Sequence, residues 1–139
     1  KEIVYDTIKK IKTTTIFVSH DINDSLEISD RVIAIEKNKK NLVIDNPVNI
    51  YNDLSNSEVS KIFGYVNTIN TGMDIINCRP ESIKIVDESN IQLTTIKSNF
   101  SGSCYKIIAR DIDNNMIYLN SPKNIKLNKK IFVKIDLNN

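Results

Sequence analysis

The chain has no tryptophan, one histidine, two cysteines and three glycines in 139 residues, and each scarcity excludes something. Cys78 and Cys104 lack C-x-x-C spacing, and a single histidine cannot complete a zinc set with them, so they read as two reduced, partly buried thiols and no metal site is expected. A phosphate-cradling loop needs two glycines, a lysine and a hydroxyl at fixed spacing, because backbone N–H groups must converge on the phosphates. Gly64, Gly72 and Gly102 are followed by Tyr65, Met73 and Ser103, so none opens such a loop. No apolar strand ends in an Asp-Glu pair that could place magnesium and orient water. No apolar run approaches the roughly 20 residues that span a bilayer, and the first residues do not read as a secretory leader.

Charge is equally unremarkable. The net charge of +2 is too small to imply a nucleic-acid partner. Lys123, Lys126, Lys129, Lys130 and Lys134 make the C-terminal part basic, but Phe100, Tyr105, Tyr118 and Phe132 show no groove-like clustering around them. These lysines read as a solvated face, and no nucleic acid is expected. The abundance of lysine, isoleucine and asparagine reads as a codon bias toward AT-rich DNA rather than as chemistry. With 40% hydrophobic and 26% charged residues the chain is globular in composition, sized for one modest domain or two small ones.

The residues that are present fall into two textures. Val4, Ile8 and Ile11 recur at i, i+4 and i+7, which predicts a helix over 2–12 with one apolar stripe. Residues 15–19 form a continuous apolar, β-branched run, the pattern of a strand buried on both faces of a parallel sheet. Asp21 can cap a helix over 22–29, with Asp24 at its third position in a capping-box-like arrangement and Ile22 and Leu26 on its inner face. Arg31–Glu36 and Asn41–Asp45 read as paired strands, with Asn38 or Asn41 taking a left-handed conformation in the turn. Asn46 and Pro47 suit the cap and first position of a short helix ending near Tyr51. Val59, Ile62 and Phe63 mark a last helix stopped by Gly64. Beyond about residue 67 helical periodicity gives way to short strands expected at 74–79, 83–86, 91–98, 103–110, 116–119 and 130–137, separated by turn clusters such as Asp113-Asn114-Asn115. That spacing suggests a small barrel of the OB type.

His20 is the sharpest site candidate. It ends an apolar run, Thr14-Thr15-Ile16-Phe17-Val18-Ser19-His20-Asp21, and Ser29-Asp30-Arg31-Val32 follows. In doubly wound α/β sheets ligands gather outside the carboxyl ends of strands. An imidazole placed there can donate one N–H to a phosphate oxygen; a lone surface or core histidine is the plain alternative. Asp21 reads first as a helix cap, and Asp30 and Arg31 as a structural polar pair. Arg79-Pro80-Glu81 suits a strand ending at a corner, since proline holds the preceding residue extended, and its charges either tie two parts of the protein together or form a solvated pair.

Taken in order, the run ending in His20-Asp21, Asp30-Arg31, Asn46-Pro47-Val48-Asn49-Ile50-Tyr51, Ile62-Phe63-Gly64 and Arg79-Pro80-Glu81 resemble the C-terminal half of the ATP-binding subunit of a bacterial ABC importer: the switch-histidine region (H-loop), then a TOBE domain. The resemblance covers nearly the whole chain. It implies an α/β remnant, the C-terminal part of a P-loop NTPase domain, over 1–66, and an all-β, OB-like TOBE barrel over 67–139. It makes His20 the switch histidine, contacting the γ-phosphate and helping hold the attacking water. ATP and Mg2+ belong to the intact subunit, and a chain starting mid-protein, without the Walker A, signature and Walker B motifs, is expected to be inactive alone. The partners implied are transmembrane permease subunits, a second ATP-binding subunit forming a dimer, and a small-molecule effector at the TOBE domain. The implied location is the cytoplasmic face of the membrane, held there through the permease. The residues do not choose among ferric iron, polyamine, sulfate, molybdate and sugar as solute. A different class, a non-enzymatic OB-type sensor of a small oxyanion, stays open beside this one.

Overall fold

A computed structural model describes residues 2–11, 13–35, 42–55 and 57–137. The chain divides into two compact units, Lys1–Phe63 and Gly64–Asn139, each with its own core.

In the first unit, helix α1 spans Glu2–Ile11 and α2 Ile22–Ile28. Strands β1 (Val32–Ile35) and β2 (Leu42–Asp45) pair antiparallel, Ile33 opposite Ile44 and Ile35 opposite Leu42. The turn expected between them, with Asn38 or Asn41 left-handed, lies outside the described residues. Helix α3 (Pro47–Asn52) begins as its local chemistry dictates: Asn46 accepts the Asn49 N–H at 2.9 Å and Pro47 occupies the first turn. Helix α4 (Ser57–Ile62) ends before Gly64, whose φ of +134° is a conformation that side chains resist. Val32, Ala34, Ile50, Val59 and Phe63 form the core, with Ile22, Leu26, Val43 and Tyr51 packed against it.

One expectation for this unit fails. Residues 13–19 adopt no regular structure, and Ile16 and Val18 are 86% and 98% exposed, so the strand foreseen over 15–19 is absent. A strand buried on both faces needs hydrogen-bonding neighbours on both edges, and no described strand pairs with this run. Every strand pair among the described residues is antiparallel, so the expected α/β remnant is not seen as a parallel sheet.

The second unit is β-structure. A hairpin of β3 (Asn67–Asn70) and β4 (Ile75–Cys78) precedes a single 3-10 turn at Pro80–Ser82. A five-stranded antiparallel sheet follows, built from β5 (Ile83–Val86), β6 (Ile91–Phe100), β7 (Tyr105–Arg110), β8 (Met116–Ser121) and β9 (Lys130–Ile135). Its order is β5-β9-β6-β7-β8. Strands β6, β7 and β8 are consecutive neighbours and β9 returns to lie beside β6, which is the Greek-key arrangement. Buried Thr95 anchors the return: its hydroxyl donates to the Lys126 carbonyl at 2.6 Å and accepts the Lys129 N–H at 3.0 Å, beside a bulge in β6. The edge strands β5 and β8 approach within 8 Å at the Cα level, so the sheet curls in a barrel-like way. Alternation fills the interior, with Ile83, Leu93, Ile107, Ile117, Leu119 and Val133 at 1% exposure or less.

Candidate functional site: the loop carrying His20

His20 lies on the irregular segment just ahead of α2, and its side chain is exposed. With Asp21, Ile22, Asn23, Leu26, Tyr51 and Phe63 it lines an open cleft of about 660 Å³ in the first unit. The cleft therefore has a polar rim, His20-Asp21-Asn23, and apolar walls from α2, α3 and the residue after α4.

Local hydrogen bonds explain the path of the chain here. Asp21 caps α2 by accepting the Asn23 N–H at 2.9 Å. In a capping box the third helical side chain would accept the cap N–H directly. Here Ser19 stands between them: its Oγ accepts the Asp21 N–H at 3.0 Å and donates to Asp24 Oδ2 at 3.1 Å. Both residues flanking His20 are thus tied by one hydroxyl.

The sequence marks His20 as the site candidate, whereas the walls Tyr51 and Phe63, 31 and 43 positions beyond it, enter there only as residues of the later helices and of the resemblance, not as site residues. Nor is Ser19 singled out there, although a hydroxyl two residues before a helix cap is a readable turn signal. Asp30 and Arg31 are exposed and outside the cleft.

Arg79 is buried rather than solvated. It is 4% exposed, and one guanidinium nitrogen donates to the Gly64 and Tyr65 carbonyls at 3.1 and 3.3 Å. Next to it Cys78 is fully buried, and burial first, then the Glu81 charge, pushes its thiol up to about 11. Cys104 is half-buried, and both cysteines are free thiols. The basic residues of the sheet, Lys84, Lys97, Lys106, Arg110, Lys130 and Lys134, are all exposed, and its five strands contain no carboxylate.

Among the described residues no group of three or more His, Cys, Asp or Glu could hold a metal ion. These residues therefore do not assemble a carboxylate-based magnesium site. No described helix is long and apolar enough to cross a membrane.

No family model matches the chain. Its similarity to individual proteins is consistent in kind. Over 90% of its length it is 27% identical to the spermidine/putrescine import ATP-binding protein PotA of Mycoplasmopsis synoviae, of which it covers 34%. Over 91% it is 27% identical to the protein of the same name from Clostridium acetobutylicum, covering 43% of it. Over 55% it is 31% identical to the sulfate/thiosulfate import ATP-binding protein CysA of Gloeobacter violaceus, covering 22% of that protein. The chain spans less than half the length of each of these relatives. Its homologues are the ATP-binding subunits of ABC importers.

Proposed function

We propose that the chain supplies the C-terminal part of an ABC-importer ATP-binding subunit, which couples ATP hydrolysis to solute uptake. The observation that carries this is the match, over nine-tenths of the chain, to proteins named for ATP-binding in import. On this proposal residues 1–66 close the nucleotide-binding domain and residues 67–139 form the TOBE domain. A Greek-key sheet whose edges approach each other supports an OB-like barrel for the second part.

His20 is the switch histidine. Exposed at the rim of a cleft, its imidazole is free to donate an N–H to a γ-phosphate oxygen brought by the rest of the subunit. The same group helps hold the attacking water beside a catalytic carboxylate from outside this chain. Phosphoryl transfer of this kind depends mainly on positioning and electrostatics. The bulk of the nucleotide contacts, and the magnesium ligands, lie in the remaining part of the subunit. Two such subunits pair and drive permease subunits from the cytoplasmic face of the membrane. Relatives that span nine-tenths of the chain are named for spermidine/putrescine import, which makes polyamines the first solutes to assay.

Replacing His20 by Ala in the complete subunit, reconstituted with its permease, tests the proposal. Solute uptake and ATP turnover should fall by roughly two orders of magnitude or more, as for other lost electrostatic contacts to a transition state, while nucleotide binding persists. Undiminished turnover would remove His20 from the mechanism.

A further inference from the structure

We infer that Ser19 is the positioning residue for His20: its hydroxyl fixes the histidine's backbone relative to α2. The inference rests on the role proposed above for His20. Three observations carry it. The Ser19 hydroxyl accepts the N–H of Asp21, the residue after the histidine, at 3.0 Å, which closes the backbone around His20 into a turn. The same hydroxyl donates to Asp24 Oδ2 at 3.1 Å, one turn into the helix. Asp21 in turn caps α2 through the Asn23 N–H at 2.9 Å.

The two bonds of Ser19 are directional, so the hydroxyl can satisfy both only with the residue between Ser19 and Asp21 held in one place. Residues 13–19 have no helix or strand to hold that segment from the other side. The placement of the histidine's backbone against α2 thus depends on the Ser19 hydroxyl. Positioning matters here because a displacement of about 1 Å of a catalytic group can cost on the order of a hundredfold in rate. Threonine carries the same hydroxyl on a branched carbon, whereas valine has nearly the same shape without it.

The comparison of Ser19→Thr with Ser19→Val in the complete subunit isolates the hydroxyl. The threonine variant should retain kcat within about twofold, and the valine variant should lose on the order of ten- to a hundredfold in kcat, with the KM for ATP and nucleotide affinity little changed. Asn67→Ala, which removes a buried amide from the second unit, serves as the control for a merely structural loss: it should lower the melting temperature and leave kcat unchanged. His20→Ala runs in parallel. If His20→Ala abolishes turnover while Ser19→Val turns over normally, the positioning role is overturned and the function proposed for the chain stands. If His20→Ala turns over normally, both fall. If Ser19→Val raises KM in proportion to its loss of kcat/KM, or if Ser19→Thr is as impaired as Ser19→Val, Ser19 acts on binding or packing and the inference is wrong.

Discussion

The Asn67 side chain takes both backbone polar groups of Tyr118: its amide nitrogen donates to the Tyr118 carbonyl and its oxygen accepts the Tyr118 N–H, each at 2.7 Å. Tyr118 lies on the edge strand β8, so the amide stands where a further strand would otherwise pair. The Tyr65 ring stacks on the Tyr118 ring beside it, centroids 4.1 Å apart and planes within 11°. A buried amide at 1% exposure therefore terminates a sheet edge.

Removing that amide should be costly. Asn67→Ala orphans a donor and an acceptor, each worth about 1–3 kcal/mol when left unpaired in a buried site. We expect a loss of about 2–4 kcal/mol in the denaturant stability of the second unit. Thr68→Ala, one residue on and exposed, should change it by under about 0.5 kcal/mol. Equal effects at the two positions would show that the Asn67 bonds contribute nothing.

The same contacts set where an independent domain can begin. Segment 64–139 keeps Tyr65, Asn67 and the carbonyls bound by Arg79, whereas segment 68–139 lacks all of them. By circular dichroism, isolated 64–139 should give a cooperative β-type melt and 68–139 a lower, broader one. Segment 1–63 exposes Ile16, Val18, Ile33, Ile35, Leu42 and Ile44, and should aggregate without further partners. A well-protected 1–63 beside a disordered 64–139 would overturn the proposed division into domains.

Cys78 gives a pH dependence with a fixed sign. Burial and the Glu81 charge raise its thiol from an ordinary value near 9.0 to about 11, so the folded state holds the proton more tightly than the unfolded chain. Stability is full below pH 9 and declines as pH rises toward 11, by up to about 2–3 kcal/mol at 1.4 kcal/mol per unit. Melts of the protein and of Cys78→Ala at pH 8, 9 and 10.5 check this: the alanine variant should lose that part of the decline. At pH 8 a thiol reagent should modify Cys104 well before Cys78 in the folded protein, and both at once in denaturant. Equal rates in the folded protein would contradict the burial account.

Nucleotide binding offers an independent check. None of the three glycines opens a phosphate loop, and such loops supply the converging N–H groups that hold phosphates. The 139-residue chain titrated with a fluorescent ATP analogue and Mg2+ should therefore show no saturable binding and no ATPase activity. Saturable micromolar binding within residues 1–66 would contradict this.

What was legible in the sequence was what short-range chemistry decides. Asn46-Pro47 and Asp21 announce helix starts because a cap is satisfied within three residues, and the structure shows both caps. The pairing of β1 with β2 and six later strands, β4 to β9, followed from apolar runs between turn residues. The run 15–19 departs from expectation because a doubly buried strand is defined by its neighbours, and no described strand pairs with it. Strand β3 escaped notice for the opposite reason: Asn67 is buried alongside Ile69, so hydropathy does not reveal the alternation. At the site, His20 was visible from its run of neighbours, whereas Tyr51 and Phe63 reach the cleft only through the packing of α3 and α4.

The most direct test of the role given to His20 is its imidazole resonance in the complete subunit, assigned by its disappearance in His20→Gln. With hydrolysis blocked, adding ATP with Mg2+ should shift that resonance, and adding ADP with Mg2+ should leave it near its position in the free protein, because only ATP brings a γ-phosphate. A resonance that moves equally with ADP, or that ATP leaves unmoved, would contradict a γ-phosphate contact by His20.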